Sequence, residues 1–194
     1  MAGEIMTTIT WLPELFNKAL PQLDARITNG IKDIETALAV LRDAGVINSP
    51  DYWRAKAATV PGASDIIIDM ADKCRNILDR IVEAEATDED ELGRQLVANV
   101  IFNRVNGKGW PNTIYGVVFQ NKPNIQFSPI SDKRYWSVKP SALTRKAVDE
   151  VLGGADKSQG ATYFRMIKGS EGSWHERALT KLFTHGNHIF YIEK

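Results

Sequence analysis

Between residues 64 and 86, apolar side chains recur at Ile67, Met70, Ala71, Cys74, Ile77, Leu78 and Ile81, the spacing of an amphipathic helix. Glu85 falls on that stripe. At 100° per residue it lies about 20° from both Leu78 and Cys74 around the helix and about 40° from Ile81. On the same wheel Glu83 lies about 180° from Cys74 and is predicted to face water. Glu85 also comes at the C-terminal end of its helix, where the dipole disfavours a carboxylate, and burial disfavours ionisation too. Both effects raise its proton affinity. A glutamic acid kept protonated near neutral pH is what cleavage of a glycosidic bond by general acid catalysis requires. Two plainer readings stand beside this one: the helix ends before Glu85 and leaves it in solvent, or the carboxylate belongs to a structural ion pair.

Other residues offer weaker chemistry. Asn99 and Asn103 are four apart on one side of an otherwise apolar helix. Buried amides need partners, either a substrate's hydroxyl and acetamido groups or a nearby loop. Thr87 and Asp90 stand at capping-box spacing, with Asp in place of the usual Glu. Asp88, Glu89, Asp90 and Glu91 then read as a solvated first turn favoured by the helix dipole. The three histidines, His175, His185 and His188, all fall near the C-terminus. His185 and His188 are three apart with no third ligand evident, so no metal site is expected. His188 reads either as a substrate contact or as a satisfied structural histidine.

The elements that must position these groups differ between the two halves of the chain. Up to about residue 86 the pattern is nearly all helical. Leu23, Ile27, Ile31, Ile34, Leu38 and Leu41 form one apolar stripe, stopped by Gly45. Ser49 and Pro50 then suit the N-cap and first position of a short helix ending before Val60-Pro61-Gly62. Ser64 is the expected cap of the helix that carries Glu85. From Asn106 onward Gly, Pro, Asn and Ser alternate with aromatic residues. Residues 116–119, 161–164 and 188–191 read as short strands, and a helix is expected from about Pro140 to Leu152.

Composition narrows the function classes. The 194 residues carry 24 Lys and Arg against 24 Asp and Glu, a formal net charge of zero, which argues against a general nucleic-acid binder. The single cysteine excludes an intramolecular disulfide framework and a Cys-based zinc site. No apolar run approaches the roughly 20 residues of a membrane span. The first residues lack a basic segment followed by an apolar one, so no signal peptide is expected and synthesis is assigned to the cytoplasm.

A set of motifs then appears in order. Ala84-Glu85-Ala86 is followed by Gly93-Arg94-Gln95-Leu96-Val97-Ala98-Asn99-Val100-Ile101-Phe102-Asn103-Arg104-Val105. Trp110-Pro111-Asn112-Thr113-Ile114-Tyr115-Gly116-Val117-Val118-Phe119, Gln126-Phe127-Ser128-Pro129-Ile130-Ser131-Asp132, Ala161-Thr162-Tyr163-Phe164 and Gly186-Asn187-His188-Ile189-Phe190-Tyr191 follow. Together they resemble the SleB/CwlJ-type cell wall hydrolases, which include the spore cortex-lytic enzymes. The resemblance covers about residues 79–194. Two departures stand out: Thr87-Asp88-Glu89 where the family has Gly-Glu, and Arg134-Tyr135-Trp136 after Asp132 where the family often has Gly.

The resemblance implies cleavage of peptidoglycan between N-acetylmuramic acid and N-acetylglucosamine, in a lytic transglycosylase reaction that leaves a 1,6-anhydro end. It implies a lysozyme-like catalytic core and places the family's catalytic glutamate at Glu85. Such a reaction uses one carboxyl group first as acid and then as base, and needs no metal, cofactor or second carboxylate. Asp132 is either a loop cap or a second carboxylate that would permit ordinary hydrolysis. By residue type, Asn103, Gln126, Ser128 and Tyr163 can hydrogen-bond acetamido groups. Phe127, Tyr163 and Trp110 can stack on sugar faces, or else belong to the core. Phe164 and His188 complete the expected substrate-binding set.

The expected fold is α+β: a mainly helical, lysozyme-like catalytic core with a small antiparallel sheet in residues 64–194, preceded by a helical N-terminal module in residues 1–63. That module either packs against the core or anchors the chain to a wall, spore or virion partner; it lacks the basic face of a DNA-binding helix-turn-helix. The competing functions are a muramidase-type hydrolase and a non-catalytic wall-binding or structural protein of a phage or spore. Without a signal peptide, the wall would be reached by assembly into a spore or virion, by lysis, or through a dedicated exporter.

Overall fold

The computed structural model describes residues 31–169 and 171–194. The expected stripe positions Leu23 and Ile27, and the segment read for a signal peptide, lie outside the described residues. The described residues up to Asn76 form one compact unit and Ile77–Lys194 a second, the division falling within one long helix.

In the first unit, α1 (Ile34–Asp43) starts at Asp33, whose side chain accepts from the Thr36 N–H at 2.8 Å. It buries Ala37, Leu38, Val40 and Leu41. Gly45, with φ of 71°, takes the left-handed turn that ends the helix. Helix α2 (Pro50–Thr59) begins with Pro50 in its first turn and buries no residue fully. Leu41, Ile47 and Trp53 line a small apolar pocket with Ala63, Ile67 and Met70 of α3 (Ala63–Glu85). The expected stripe of α3 is buried along its whole length, from Ile67 through Cys74 to Ile81. Its start differs from the expected one. Ser64 lies inside the helix, its hydroxyl donating to the Ala57 carbonyl at 3.3 Å, so it is not the cap.

The second unit is built on the end of α3 and on α4 (Glu91–Asn106). Asp90, not Thr87, caps α4, accepting from the Gly93 N–H at 2.8 Å; the Thr87 hydroxyl instead donates back to the Glu83 carbonyl. Helix α4 is buried on nearly every side, from Gly93 to Ile101. Next come α5 (Ile114–Val118), α6 (Ser128–Ser131), α7 (Arg134–Ser137) and α8 (Ala142–Leu152). Then follow β1 (Tyr163–Met166), α9 (Trp174–Ala178), β2 (Leu179–His185) and β3 (His188–Glu193). The three strands form an antiparallel sheet in the order β1-β3-β2, with Tyr163 opposite Tyr191 and Phe164 opposite Phe190. Phe190 packs with Leu96, Val100 and Ala161, while Tyr191, Ile189 and Leu179 make a separate cluster.

The structure corrects two further expectations. Residues 116–119 are not a strand: Thr113 accepts from the Gly116 N–H at 3.0 Å and starts a helical turn that buries Ile114, Val117 and Val118 together. Glu83 does not face water. It is 8% exposed and accepts from the Thr144 hydroxyl at 2.6 Å and the Ser141 N–H at 2.8 Å. Arg94 of α4 stands 3.2 Å away, and its guanidinium also donates to the Thr144 hydroxyl. A helical wheel assigns one wet face, but Asn76, Asp79 and Val82 are buried as well, so the last turns of α3 are enclosed all round.

Candidate active site

Glu85 is the last residue of α3 and is half-buried. The backbone N–H of Ser128, at the start of α6, favours the ionised form of its carboxylate. Burial pushes the Glu85 carboxyl up to about 7. Arg134 pulls against that shift, Asp132 adds to it, and the Ser128 N–H and Arg104 moderate it. The site therefore holds a carboxylic acid that is part protonated at neutral pH.

Glu85 opens into a cleft of about 110 Å³ that is also lined by Asp88, Glu89, Arg134, Met166 and His188. Four pieces of the fold meet there: the end of α3, the loop into α4, the start of α7, and the sheet at the end of β1 and the β2–β3 turn.

Arg134 was read from the sequence only as a departure from a motif, yet it spans one wall of the cleft. Its Nη1 donates to the Ala84 carbonyl at 2.7 Å, its Nε to Asp132 at 2.9 Å and its Nη2 to the Ser128 hydroxyl at 3.1 Å. No sequence spacing links residue 134 to the end of α3. The contact exists because Lys133, at φ 70°, turns the chain between α6 and α7.

Glu89 is the other residue that the sequence did not single out. The solvated reading of the acidic run holds for Asp88 and Asp90 but not for Glu89, which is 7% exposed. Its carboxylate accepts from the Asn187 N–H at 2.9 Å. A Cβ at Gly186 would overlap it, and one at Gly93 would press on its stem. Both glycines therefore permit the β2–β3 turn and α4 to close on Glu89. Gly186 also adopts φ of 51°.

His188 is buried in the same wall, with Nδ1 3.5 Å from Glu89 but no hydrogen bond to it. Burial holds its imidazole below the usual histidine range, partly offset by Glu89. Its ring meets Phe164 edge-on at 5.1 Å.

The expected substrate-binding residues divide into groups. Glu85 and His188 line the cleft, while Ser128 and Asp132 border it through Arg134. Asp132 is exposed, and the Arg134 N–H and guanidinium hold its carboxyl below the ordinary range. Asn103 is turned inward, its amide donating to Ser158 and to the Ala161 carbonyl, both at 2.8 Å. Asn99 ties the same loop at the Ala155 carbonyl. Phe127 is 1% exposed, with Arg104 stacked at 5.3 Å from its ring. Gln126 donates to the Asn124 carbonyl, and the Tyr163 hydroxyl donates to Glu193. Trp110 and Tyr163 flank the Arg104 guanidinium at 4.3 and 5.3 Å. Phe164 packs against the Leu96–Phe190 cluster.

A half-buried carboxyl group of raised proton affinity at a helix terminus, set in a cleft between helices and a small sheet, has the features that general acid catalysis calls for. The fold and sequence place it in a family. The Cell Wall Hydrolase profile matches residues 88–191, and the chain belongs to that family. The match starts three residues after Glu85. Spore cortex-lytic enzymes are among its relatives. The one from Halalkalibacterium halodurans is 30% identical over 134 residues, 69% of this chain and 39% of the relative. The one from Bacillus subtilis is 30% identical over 110 residues, 57% and 33% respectively. This chain spans about two fifths or less of the length of these relatives.

Two solved structures are also similar. The catalytic domain of the Bacillus cereus SleB protein superimposes with a TM-score of 0.54 at 28% identity, covering 61% of this chain and 89% of that one. The catalytic domain of the germination-specific lytic transglycosylase SleB from Bacillus anthracis gives 0.53 at 28% identity, covering 61% and 93%.

Proposed function

We propose that this chain cleaves the glycan strands of peptidoglycan at the bond between N-acetylmuramic acid and N-acetylglucosamine, as a lytic transglycosylase with Glu85 as its single catalytic acid. The observation that carries the reading is a carboxyl group raised to about 7 in an open cleft. Glu85 donates its proton to the glycosidic oxygen as the bond to the muramoyl C1 breaks. The resulting carboxylate then takes the proton from the muramoyl C6 hydroxyl as that oxygen attacks C1. One group thus serves as acid and then as base, and the internal hydroxyl replaces water.

Hydrolysis would call for a second carboxylate free to activate water. Asp132 is held by Arg134 and Glu89 by the Asn187 N–H, while Asp88 stands exposed in the same cleft, so the products released from sacculi decide between the two reactions. Ser128, Asp132 and His188 are the expected residues for holding the sugar beside Glu85. The similarity to SleB catalytic domains and to spore cortex-lytic enzymes supports the substrate class. Action at the cell wall follows from that substrate.

We assign catalysis to residues 64–194, which keep the Glu85 helix but for its first residue, Ala63. We assign residues 1–63 to an N-terminal module whose partner would be a wall, spore or virion component.

Digestion of purified sacculi, with mass spectrometry of the soluble products, tests the reading. Anhydromuropeptides are expected. Reducing-end muropeptides would assign a muramidase instead. Absence of release from several wall types would leave only a binding role.

A further inference from the structure

We propose that Arg134 is a positioning residue for Glu85, and that the Asp132–Arg134 pair sets the charge seen by the acid as well as the place where it sits. The proposal rests on reading Glu85 as the acid and adds residues that this reading does not require.

The argument begins with the three anchors of the guanidinium. One is the Ala84 carbonyl, in the residue directly before Glu85. Another is the Ser128 hydroxyl, in the residue whose backbone N–H favours the ionised form of Glu85. Asp132 is the third, and its carboxylate also accepts from the Arg134 N–H at 3.0 Å. The planar fork of Arg134 therefore joins the helix end that carries the acid to the 128–132 segment beside it. A lysine, with a single point of charge, could not hold that arrangement. The side chain remains 50% exposed, so it keeps its charge at the mouth of the cleft without the cost of full burial.

Charge makes the two members of the pair distinguishable. Arg134 stabilises the ionised form of Glu85, and Asp132 opposes it. Arg104 of α4 acts in the same sense as Arg134. Asp88 and Glu89 face the cleft from the α3–α4 loop, and His188 faces it from β3. If the pair were only a clamp, breaking it from either side would disturb Glu85 in the same direction. If the pair sets the local charge, its members act in opposite directions.

The test is the titration midpoint of the Glu85 side-chain carboxyl, followed by carbon NMR in the full chain labelled on glutamate and assigned by Glu85→Gln. Arg134→Met is expected to raise the midpoint by about half a unit or more, through loss of a nearby cation and of the tie to Ser128. Asp132→Asn is expected to lower it, although both variants break the same pair. Arg134→Lys should raise the midpoint by less than Arg134→Met, because the charge remains but the tie to Ser128 is lost. Shifts in the same direction for Arg134→Met and Asp132→Asn, or no shift in either, would overturn the proposal. If Arg134→Met does not fold, Asp132→Asn decides: a fall supports the proposal and an unchanged or raised midpoint refutes it. The titration requires no turnover. A wild-type chain that releases nothing from sacculi would therefore count against the proposed reaction and leave this result standing.

Discussion

Glu83 and Glu85 stand two residues apart on α3, and their surroundings push their proton affinities in opposite directions. Burial raises the carboxyl of Glu83, but the Ser141 N–H, the Thr144 hydroxyl and Arg94 outweigh it and hold the group below the ordinary range. Burial dominates at Glu85 and raises it to about 7. The consequences for stability differ in sign. Glu83 stabilises the fold above its unfolded value, near 4.5, and that contribution is lost as the pH falls through its lower folded value. Glu83→Gln should therefore lower the Tm at pH 7, with a cost of about 3 kcal/mol because the buried Arg94 loses its counter-ion. The deficit should shrink toward pH 3. Glu85 costs nothing below about 4.5, and its penalty grows as the pH rises toward 7. Glu85→Gln should match the wild-type Tm at pH 4 and exceed it at pH 8. Scanning calorimetry across that range checks both variants. A Glu85→Gln chain less stable than wild type at pH 8 would contradict the burial argument.

At the scale of elements, regular periodicity could be read and enclosure could not. The stripe of α3 and the place of Glu85 on it follow from residue spacing, as do β1, β3 and the helix ending at Leu152. The environment of Glu83 was not legible, because a wheel shows which face is apolar but not how many faces are covered. Gly116-Val117-Val118-Phe119 has the residue types of a strand, yet a single capping hydroxyl at Thr113 is enough to make it a helical turn. Arg134 and Glu89 were missed because their partners come from the end of α3 and from the β2–β3 turn. Asn103 was recognisable as a polar residue on an apolar face, but its partners, Ser158 and Ala161, are set by tertiary packing. Asn103→Ala should free that loop, costing about 1–2 kcal/mol and leaving the Ala161 carbonyl without that donor. Amide exchange in residues 155–161 should quicken well before the rest of the chain. Unchanged protection there would show that the loop is held by other contacts.

For the molecule as a whole, composition excluded more than it identified. The balanced charge and single cysteine narrowed the classes, and the ordered motifs supplied the family. Among the described residues, no helix is long and apolar enough to cross a membrane. The first unit buries apolar residues of α1 and the start of α3, with Leu41, Ile47 and the partly buried Trp53 lying beside Ile67 and Met70. Removing residues 1–62 strips that cover from Ile67 and Met70. The shortened chain should lose Tm and bind a hydrophobic dye, while keeping α3 as far as Glu85. An unchanged Tm without dye binding would mean that the module contributes nothing to the folding of the rest.

The central claim is that the proton held by Glu85 is the one that breaks the glycan. Muropeptide release from sacculi at pH 6, wild type against Glu85→Gln, tests it most directly. Release by the wild type and a fall of at least about 100-fold in the variant, with its Tm equal or higher, is the expected result. A variant that still releases muropeptides within a few-fold of the wild-type rate would contradict it.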